Sequence, residues 1–512
     1  MQPEPWWRDA VFYEVYIRSF ADSDGDGVGD LDGIRRKLPY LADLGIGAIW
    51  VTPFYPSPMH DHGYDVADYC NVDPQFGSLA DLDALVVDAH AAGLRVVIDV
   101  VPNHTSSDHP WFREALADPT SAKRDWYIFR PGREGQPPNN WQSVFGGSAW
   151  QRDPASGEFY LHLFDASQPD LNWRNPDVHE AFHRVLRFWL DRGVDGFRID
   201  VAHALYKDVA LRDDPSGAER SPYAWDQDET LEVWEDWRRL VDGYDDRMLV
   251  GEVFLYDPER VAQYVGADRL HQAFNFSVAR TPFDADAFRD IVQRSLRLFR
   301  RPGTTPTWVL SNHDLVRHAT RFGGGEIGVR RARAASALLL ALPGSPYLYQ
   351  GEELGLEQSI VPPELRQDPV FFQSGRDGRD GCRTPLPWTD EPQGHGFTVG
   401  DAWLPFDKDA ADRNVDTESR DERSTLSFYR RCLRLRRDVV LLEDDELTWL
   451  DAPDQMLAWR RGALAVVTNF ADTAEALALD GDVLLSSADA PAMDSGHVTV
   501  PAATTVWLSV SG

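Results

Sequence analysis

Four short polar clusters, each at the end of an apolar run, carry the side chains best suited to chemistry: Asp99-Val100-Val101-Pro102-Asn103-His104, Gly196-Phe197-Arg198-Ile199-Asp200, Gly251-Glu252-Val253-Phe254 and Ser311-Asn312-His313-Asp314. An Asp or His at such a position often only caps the next helix or joins a buried salt bridge, so one cluster alone decides little. Taken in order, they supply carboxyls, imidazoles and a guanidinium able to converge on one substrate. Arg198 precedes Asp200 by two residues, so strand alternation places both side chains on one face, where the guanidinium favours the charged carboxylate. Glu252 follows Met248-Leu249-Val250-Gly251 and precedes Val253-Phe254, apolar surroundings that favour a proton on its carboxyl. One charged and one protonated carboxyl are the equipment for nucleophilic attack assisted by a general acid.

The scaffold must gather strand ends. Val11 to Tyr16, Ala48 to Val51, Arg95 to Val101, Gly196 to Ile199, Met248 to Val253, Trp308 to Leu310 and Tyr347 to Tyr349 read as strands alternating with helices, the pattern of βαβ units and a parallel sheet. Ser78 caps a helix carrying Leu82, Leu85, Val86 and Ala89, and Gly93 ends it; Asp177 and Gly193 bound a second carrying Phe182, Val185, Leu186, Trp189 and Leu190. Polar residues at the C-terminal ends of several strands indicate a barrel, and no glycine-rich phosphate turn follows the first strand, as a doubly wound sheet would require. The reading is an α/β protein. A (β/α)8 TIM barrel occupies 1–103 and 173–436, interrupted by an inserted domain at 104–172 after strand 3 and by a pocket-capping insertion at about 351–416. A C-terminal antiparallel β-sandwich domain fills 437–512, with strands at Met456 to Arg460, Ala463 to Asn469, Val483 to Leu485, Val498 to Val500 and Thr505 to Val510.

With 512 residues and a formal net charge of −32, the chain would repel phosphate backbones and anionic lipid surfaces, so the expected partner is a small neutral molecule, not nucleic acid or membrane. The segment Met1 to Asp9 lacks the basic and apolar stretches of a signal peptide, and no segment has the uncharged length of a membrane span, so the expectation is a cytoplasmic protein. Cys70, Cys382 and Cys432 are too few and too scattered for a disulfide framework or a zinc cluster. A monomer and a homo-oligomer are equally compatible with the sequence.

The four clusters resemble, in order, the main motifs of the α-amylase superfamily, glycoside hydrolase family thirteen, and the likeness extends over essentially the whole chain. The resemblance implies that Asp200 is the nucleophile, Glu252 the general acid/base and Asp314 the carboxylate holding sugar hydroxyls in the transition state, with Arg198, His104 and His313 completing the subsite. Retaining glycosidases place two such carboxyls about 5–5.5 Å apart. Gln168-Pro169-Asp170-Leu171-Asn172 resembles the signature of the oligo-1,6-glucosidase group, mostly exo-acting enzymes. Asp61 and Tyr64, with Arg383 in Gly381-Cys382-Arg383-Thr384-Pro385, resemble the residues that close the pocket around the non-reducing glucose, and Phe145 resembles its aromatic wall.

The run Asp22-Ser23-Asp24-Gly25-Asp26-Gly27-Val28-Gly29-Asp30 places oxygen ligands at alternate positions with glycine sixth, as in a calcium loop. Gly33 stands where such a loop carries its bidentate Glu, so the expectation is a small structural Ca²⁺ site, not required for chemistry, formed by Asp22, Asp24, Asp26, Asp30 and the Val28 carbonyl. Magnesium, or a turn without metal, is the alternative.

The resemblance implies a retaining exo-α-glucosidase, a maltase hydrolysing terminal α-1,4-linked glucose from maltose and short malto-oligosaccharides. Val201, directly after Asp200, resembles isomaltose-cleaving relatives instead, but Ala202 and His203 replace its usual companions. An oligo-1,6-glucosidase is therefore the first alternative. A trehalose synthase or sucrose-acting relative is the second, although Leu315 to Phe322 does not resemble the charged specificity loop of sucrose isomerases. A non-catalytic binding protein on this fold would lack the full set Asp200, Glu252 and Asp314.

Overall fold

Eight short segments, buried on both faces, form the centre of the molecule. The structure, a computed structural model, describes residues 5–216, 220–442 and 446–510. In chain order, β1 (Phe12–Val15), β2 (Ala48–Val51) and β3 (Arg95–Val100) precede three very short strands, β4 (Phe129–Arg130), β5 (Trp150–Arg152) and β6 (Phe159–Leu161). Then come β7 (Gly196–Ile199), β8 (Met248–Gly251), β9 (Gln272–Ala273), β10 (Thr307–Val309) and β11 (Ser345–Tyr349). Strands β10, β11, β1, β2, β3, β7, β8 and β9 pair in that order, all in parallel, as a nearly closed barrel.

Alternate residues along the strands join two different apolar clusters. Phe12, Ala48, Trp50, Val97, Met248, Val250, Val309 and Tyr347 pack together on one side of the sheet, whereas Tyr13, Val15, Ile49, Val51, Val96, Ile98, Val100 and Leu249 pack with the surrounding helices. Burial on both faces is why these strands read as unbroken apolar runs. At the C-terminal end the lumen turns polar: Glu14, Asp99 and Arg198 are buried there, and Asp99 and Arg198 are direct partners across β3 and β7.

Among the described residues no ladder joins β9 to β10. The seam is closed by the Thr307 hydroxyl, which donates to the Ala273 carbonyl at 2.8 Å and accepts from the Asn275 amide at 3.1 Å. Strand β9 has no sequence signature. It is two residues long, and Gln272 spends its side chain on Trp7, Ser345 and Tyr347 at distances of 2.9, 2.7 and 2.5 Å.

The helix over Leu79–Ala91 begins as expected, with Ser78 and Asp81 forming a reciprocal capping box. The next boundary requires a correction: Pro176–Asp191 is capped by Asn175, not Asp177, because Pro176 fits the first helical turn and the Asn175 side chain accepts from the Asp177 amide at 2.9 Å. After β3, residues 104–172 contribute the small antiparallel sheet β4-β6-β5.

The C-terminal region holds β12 (Thr448–Leu450), β13 (Met456–Arg461), β14 (Leu464–Asn469), β15 (Glu475–Leu477), β16 (Asp482–Ser486), β17 (Ala492–Asp494), β18 (His497–Val500) and β19 (Thr504–Ser509). They form two antiparallel sheets, β12-β13-β14-β19-β16 and β15-β18-β17. Strands β12, β15 and β17 escape sequence reading because each is only three residues long and Leu477 alone among their residues is buried. This region docks on the helix Gly325–Leu340, where Trp507, Thr505 and Arg461 donate to the carbonyls of Ala337, Ala334 and Ala341. Among the described residues no helix is long and apolar enough to cross a membrane.

Replacing Thr307 by valine keeps the shape of the side chain but leaves the Ala273 carbonyl and the Asn275 amide unpaired at the seam. A destabilisation of about 1–3 kcal/mol is expected in urea unfolding; an unchanged midpoint would show that the seam closes by other means.

Candidate active site

A cavity of ≈ 680 Å³ opens at the C-terminal end of the barrel, with Asp61, Tyr64, His104, Phe145, Asp200, Glu252 and Asp314 among its walls. Strand β7 carries Arg198 to its floor. The fully buried guanidinium binds Asp99 Oδ1 and Asp200 Oδ1 through Nη1, both at 2.7 Å, and Glu252 Oε2 through Nη2 at 2.7 Å. Asp99 is fixed in turn by Trp50 Nε1 at 2.9 Å and the Tyr64 hydroxyl at 3.1 Å. The Val201 amide donates to the same Glu252 oxygen at 3.1 Å, and Val201 adopts φ = 45°, a strained conformation for a β-branched residue.

This arrangement corrects the simple division expected from sequence. One guanidinium serves both carboxyls, so an apolar setting does not set Glu252 apart. Burial pushes the Asp200 carboxyl well above the usual carboxylate range; the charges of Glu252 and Asp99 add to that push, and Arg198 only partly opposes it. The same guanidinium that partly opposes this push also holds Glu252, so the two carboxyls share one counter-charge.

Asp314 anchors the opposite wall. Its Oδ1 binds Arg379 Nη1 at 3.1 Å and Arg383 Nη2 at 2.8 Å, and its Oδ2 lies 3.3 Å from His313 Nε2. Burial opposes ionisation of Asp314, yet the surrounding charges hold its carboxyl far below the usual range. The lowering comes first from His313 and then from Arg379, Arg383 and Arg198, while burial makes His313 itself harder to protonate than a free imidazole. His313 does not line the cavity. It lies stacked between Tyr16 and Tyr64, ring centroids 5.6 and 5.3 Å away, and its Nδ1 bonds to Glu14.

Arg383 also lies behind the wall. It is fully buried, bonds to the His313 carbonyl and Asp314, and sits over the Tyr16 ring. The partner of Asp61 is Arg379, at 2.7 Å, which also binds Asp368 and Asp314. Asp61 is therefore paired with Arg379, two residues before the Gly381–Pro385 motif, and Arg383 pairs with Asp314 instead. Asp61 remains hard to ionise, its carboxyl raised to about 6 by burial despite the adjacent arginines.

Gln168 is the second residue the sequence reading left out of the site. Its Nε2 donates to Asp61 Oδ2 at 3.0 Å and lies 3.2 Å from His104 Nε2, so the Gln168–Asn172 motif positions two pocket residues. His104 is neutral, lowered to about 4 by burial. The other wall residues, Phe164, Val201, His203, Trp225, Phe254 and Tyr256, come from separate loops that no short motif connects. Phe145 serves as core and wall together: it is buried against Phe164 and under the Arg379 guanidinium while facing the cavity.

In the loop after β1, one carboxylate oxygen from each of Asp22, Asp24 and Asp30 lies within 4.8 Å of the others, close enough to share a cation. Asp26 is not gathered with them; its Oδ1 accepts from the Val28 amide at 2.8 Å. The capping insertion pins this loop, with Thr398 donating to Asp22 at 2.5 Å and the Trp403 amide donating to the Gly27 carbonyl at 3.0 Å.

Comparison with known proteins agrees with this geometry. Residues 14–445 match the family model described as alpha amylase, catalytic domain. The chain is 42% identical over 484 residues to a probable alpha-glucosidase of Rhizobium meliloti (strain 1021), covering 89% of this chain and 87% of that protein. It is 36% identical to an oligo-1,6-glucosidase of Parageobacillus thermoglucosidasius, covering 91% of each. The crystal structure of an alpha-glucosyl transfer enzyme, XgtA, superposes with a TM-score of 0.91 at 41% identity, over 99% of this chain and 100% of that one.

Arg379→Gln removes the counter-charge shared by Asp61, Asp314 and Asp368. Stability that Asp314 and Asp368 contribute through lowered values is present above about pH 4 and lost as pH falls through the folded values. The variant is therefore expected to lose about 3–5 kcal/mol near pH 7 and distinctly less near pH 2.5, below the range where the free carboxyls titrate, read by urea unfolding. Equal losses at both pH values would contradict the electrostatic account.

Proposed function

The chain belongs to the α-amylase catalytic family and is a glycoside hydrolase, and on that premise we propose that it is a retaining exo-α-glucosidase releasing terminal α-1,4-linked glucose from maltose and short malto-oligosaccharides. One observation carries the retaining mechanism: Asp200 and Glu252 occupy the two Nη atoms of one guanidinium. A guanidinium is only a few ångströms wide, so this supports the close carboxyl spacing of about 5–5.5 Å, not the wider gap that admits a water.

In the proposed reaction Asp200 attacks the anomeric carbon while Glu252 gives its proton to the glycosidic oxygen, so a C–O bond forms to Asp200 as the bond to the leaving sugar breaks. Water then attacks the same carbon, passing a proton to Glu252, and Asp200 departs. The first step requires the proton on Glu252, whose target oxygen receives it, and the charge on Asp200 once the sugar is bound. Asp314 and His104 hold ring hydroxyls, and the Asp61–Arg379 pair closes the wall at the non-reducing end, which supports exo action.

Val201 lies in the wall beside Asp200 and favours the second reading, preference for α-1,6 linkages. The likeness to an alpha-glucosyl transfer enzyme supports a third, in which a sugar replaces water as acceptor. We further propose that Asp22, Asp24 and Asp30 hold a structural Ca²⁺, with loop oxygens such as the Val28 carbonyl completing its shell.

Incubation with maltose, isomaltose, trehalose and sucrose separates the readings: glucose released fastest from maltose is expected, and faster release from isomaltose, or trehalose formed from maltose, would displace the proposal. Glu252→Gln is expected to slow maltose hydrolysis by about 10²–10⁴-fold and to spare the first step on an aryl α-glucoside, read as a pre-steady-state burst of phenolate followed by slow turnover, because a phenolate leaves without protonation while the second step still lacks its base. Calcium should raise the thermal unfolding midpoint saturably with kcat unchanged; a midpoint indifferent to calcium and chelator would remove the metal proposal.

A further inference from the structure

Away from the barrel mouth, a groove of ≈ 870 Å³ runs between the helix Gly325–Leu340, the start of the helix Thr425–Asp438 and the 487–489 loop of the C-terminal sheets. Five arginines line it, Arg330, Arg333, Arg413, Arg423 and Arg431, against three carboxylates, Glu326, Glu422 and Asp489. In a chain of net charge −32, such a positive concentration is conspicuous.

The way these side chains are held separates the groove from an ordinary surface of ion pairs. Arg330 Nε donates to the Ala502 carbonyl at 2.8 Å, Arg333 Nη1 to the Arg423 carbonyl at 3.2 Å, Arg413 Nη1 to the Gly355 carbonyl at 2.5 Å and Arg431 Nη1 to the Glu422 carbonyl at 2.7 Å. A neutral carbonyl fixes a guanidinium without cancelling its charge. Only Arg330 has a carboxylate partner, Asp489 at 3.1 Å; among the described residues, Arg333, Arg413, Arg423 and Arg431 pair with none. Glu418, a buried acid that interacts electrostatically with Arg413 and Arg333, is a poor substitute, because burial raises its carboxyl to about 7. Arg333 lies over the Phe428 ring and is less easily protonated than usual, first through burial and then through the charge of Arg431.

Fixed, mutually repelling guanidiniums with free fork nitrogens form a receptor for an anion that accepts several charge-assisted hydrogen bonds. Two positive charges in excess match a dianion. We propose that this groove is a binding site for a phosphate monoester or inorganic phosphate, held by the arginines on and before the helices Gly325–Leu340 and Thr425–Asp438. It is independent of which sugar the catalytic cavity takes.

The test is thermal unfolding and calorimetric titration of the full chain with inorganic phosphate and with glucose 6-phosphate, against potassium chloride at matched ionic strength. Both phosphates are expected to raise the unfolding midpoint saturably where chloride does not. Tighter binding of the ester would assign contacts to its organic part, and equal binding would assign the phosphate group alone. Arg423 and Arg431 are exposed, so the R423A/R431A double variant should fold, hydrolyse an aryl α-glucoside at the unaltered rate and bind phosphate about tenfold more weakly or less. Phosphate acting no differently from chloride would overturn the proposal, as would an undiminished effect in the double variant, which would place the anion elsewhere. A change in molar mass of the double variant by light scattering, without any phosphate effect, would assign the groove to a second copy of the chain and also overturn it.

Discussion

A single guanidinium at the barrel axis organises the reactive end of this protein. Arg198 is fully buried and holds three carboxyls, Asp99 from β3, Asp200 from the end of β7 and Glu252 from the end of β8. Moving such charges out of water is costly and is offset only when geometry and hydrogen bonding are close to ideal. Strand register supplies that geometry. Asp99 faces Arg198 across the β3–β7 pair, and Ile199 faces Gly251 across β7–β8, so the residues that follow emerge side by side. A slip of one residue in either pair would turn the charged group away from the lumen.

The opposite wall is built on a different principle. Arg379 and Arg383 come from a long insertion whose short helical turns contribute little regular hydrogen bonding, and the insertion is tied to the barrel by ion pairs to Asp61 and Asp314. Asp368, from the same insertion, completes the grip on Arg379. The shape of the cavity wall and the folding of the cap therefore draw on the same charges. Gln168 links this wall to the segment after β3, so three separately folded stretches meet at Asp61.

The barrel was legible because burial on both faces leaves continuous apolar runs, and Asp200, Glu252 and Asp314, which line the cavity, follow such runs closely. The sequence concealed β9, which replaces apolar residues with Gln272 and is only two residues long. It grouped Asp61 with Arg383 instead of Arg379, since two arginines four residues apart in one irregular loop cannot be told apart without knowing which faces the cavity. Local signals also misplaced the cap at Asp177, where Asn175 and Pro176 together define the turn. The sharing of Arg198 by both carboxyls was hidden because Glu252 follows its strand and lies far from Arg198 in the chain, so no spacing rule connects them.

The seam sealed by Thr307 has a further consequence. Strand β10, which leads into the loop bearing Asp314, is held in the sheet by backbone pairing to β11 alone, whereas β8, which leads into Glu252, is flanked by paired strands on both sides. The Glu252 side of the cleft is thus set in the continuous wall of the cylinder, and the Asp314 side stands at its open edge. Breathing of the cylinder would widen the gap between β9 and β10 first, shifting Asp314 and its arginines relative to the reactive pair while leaving the spacing of that pair intact.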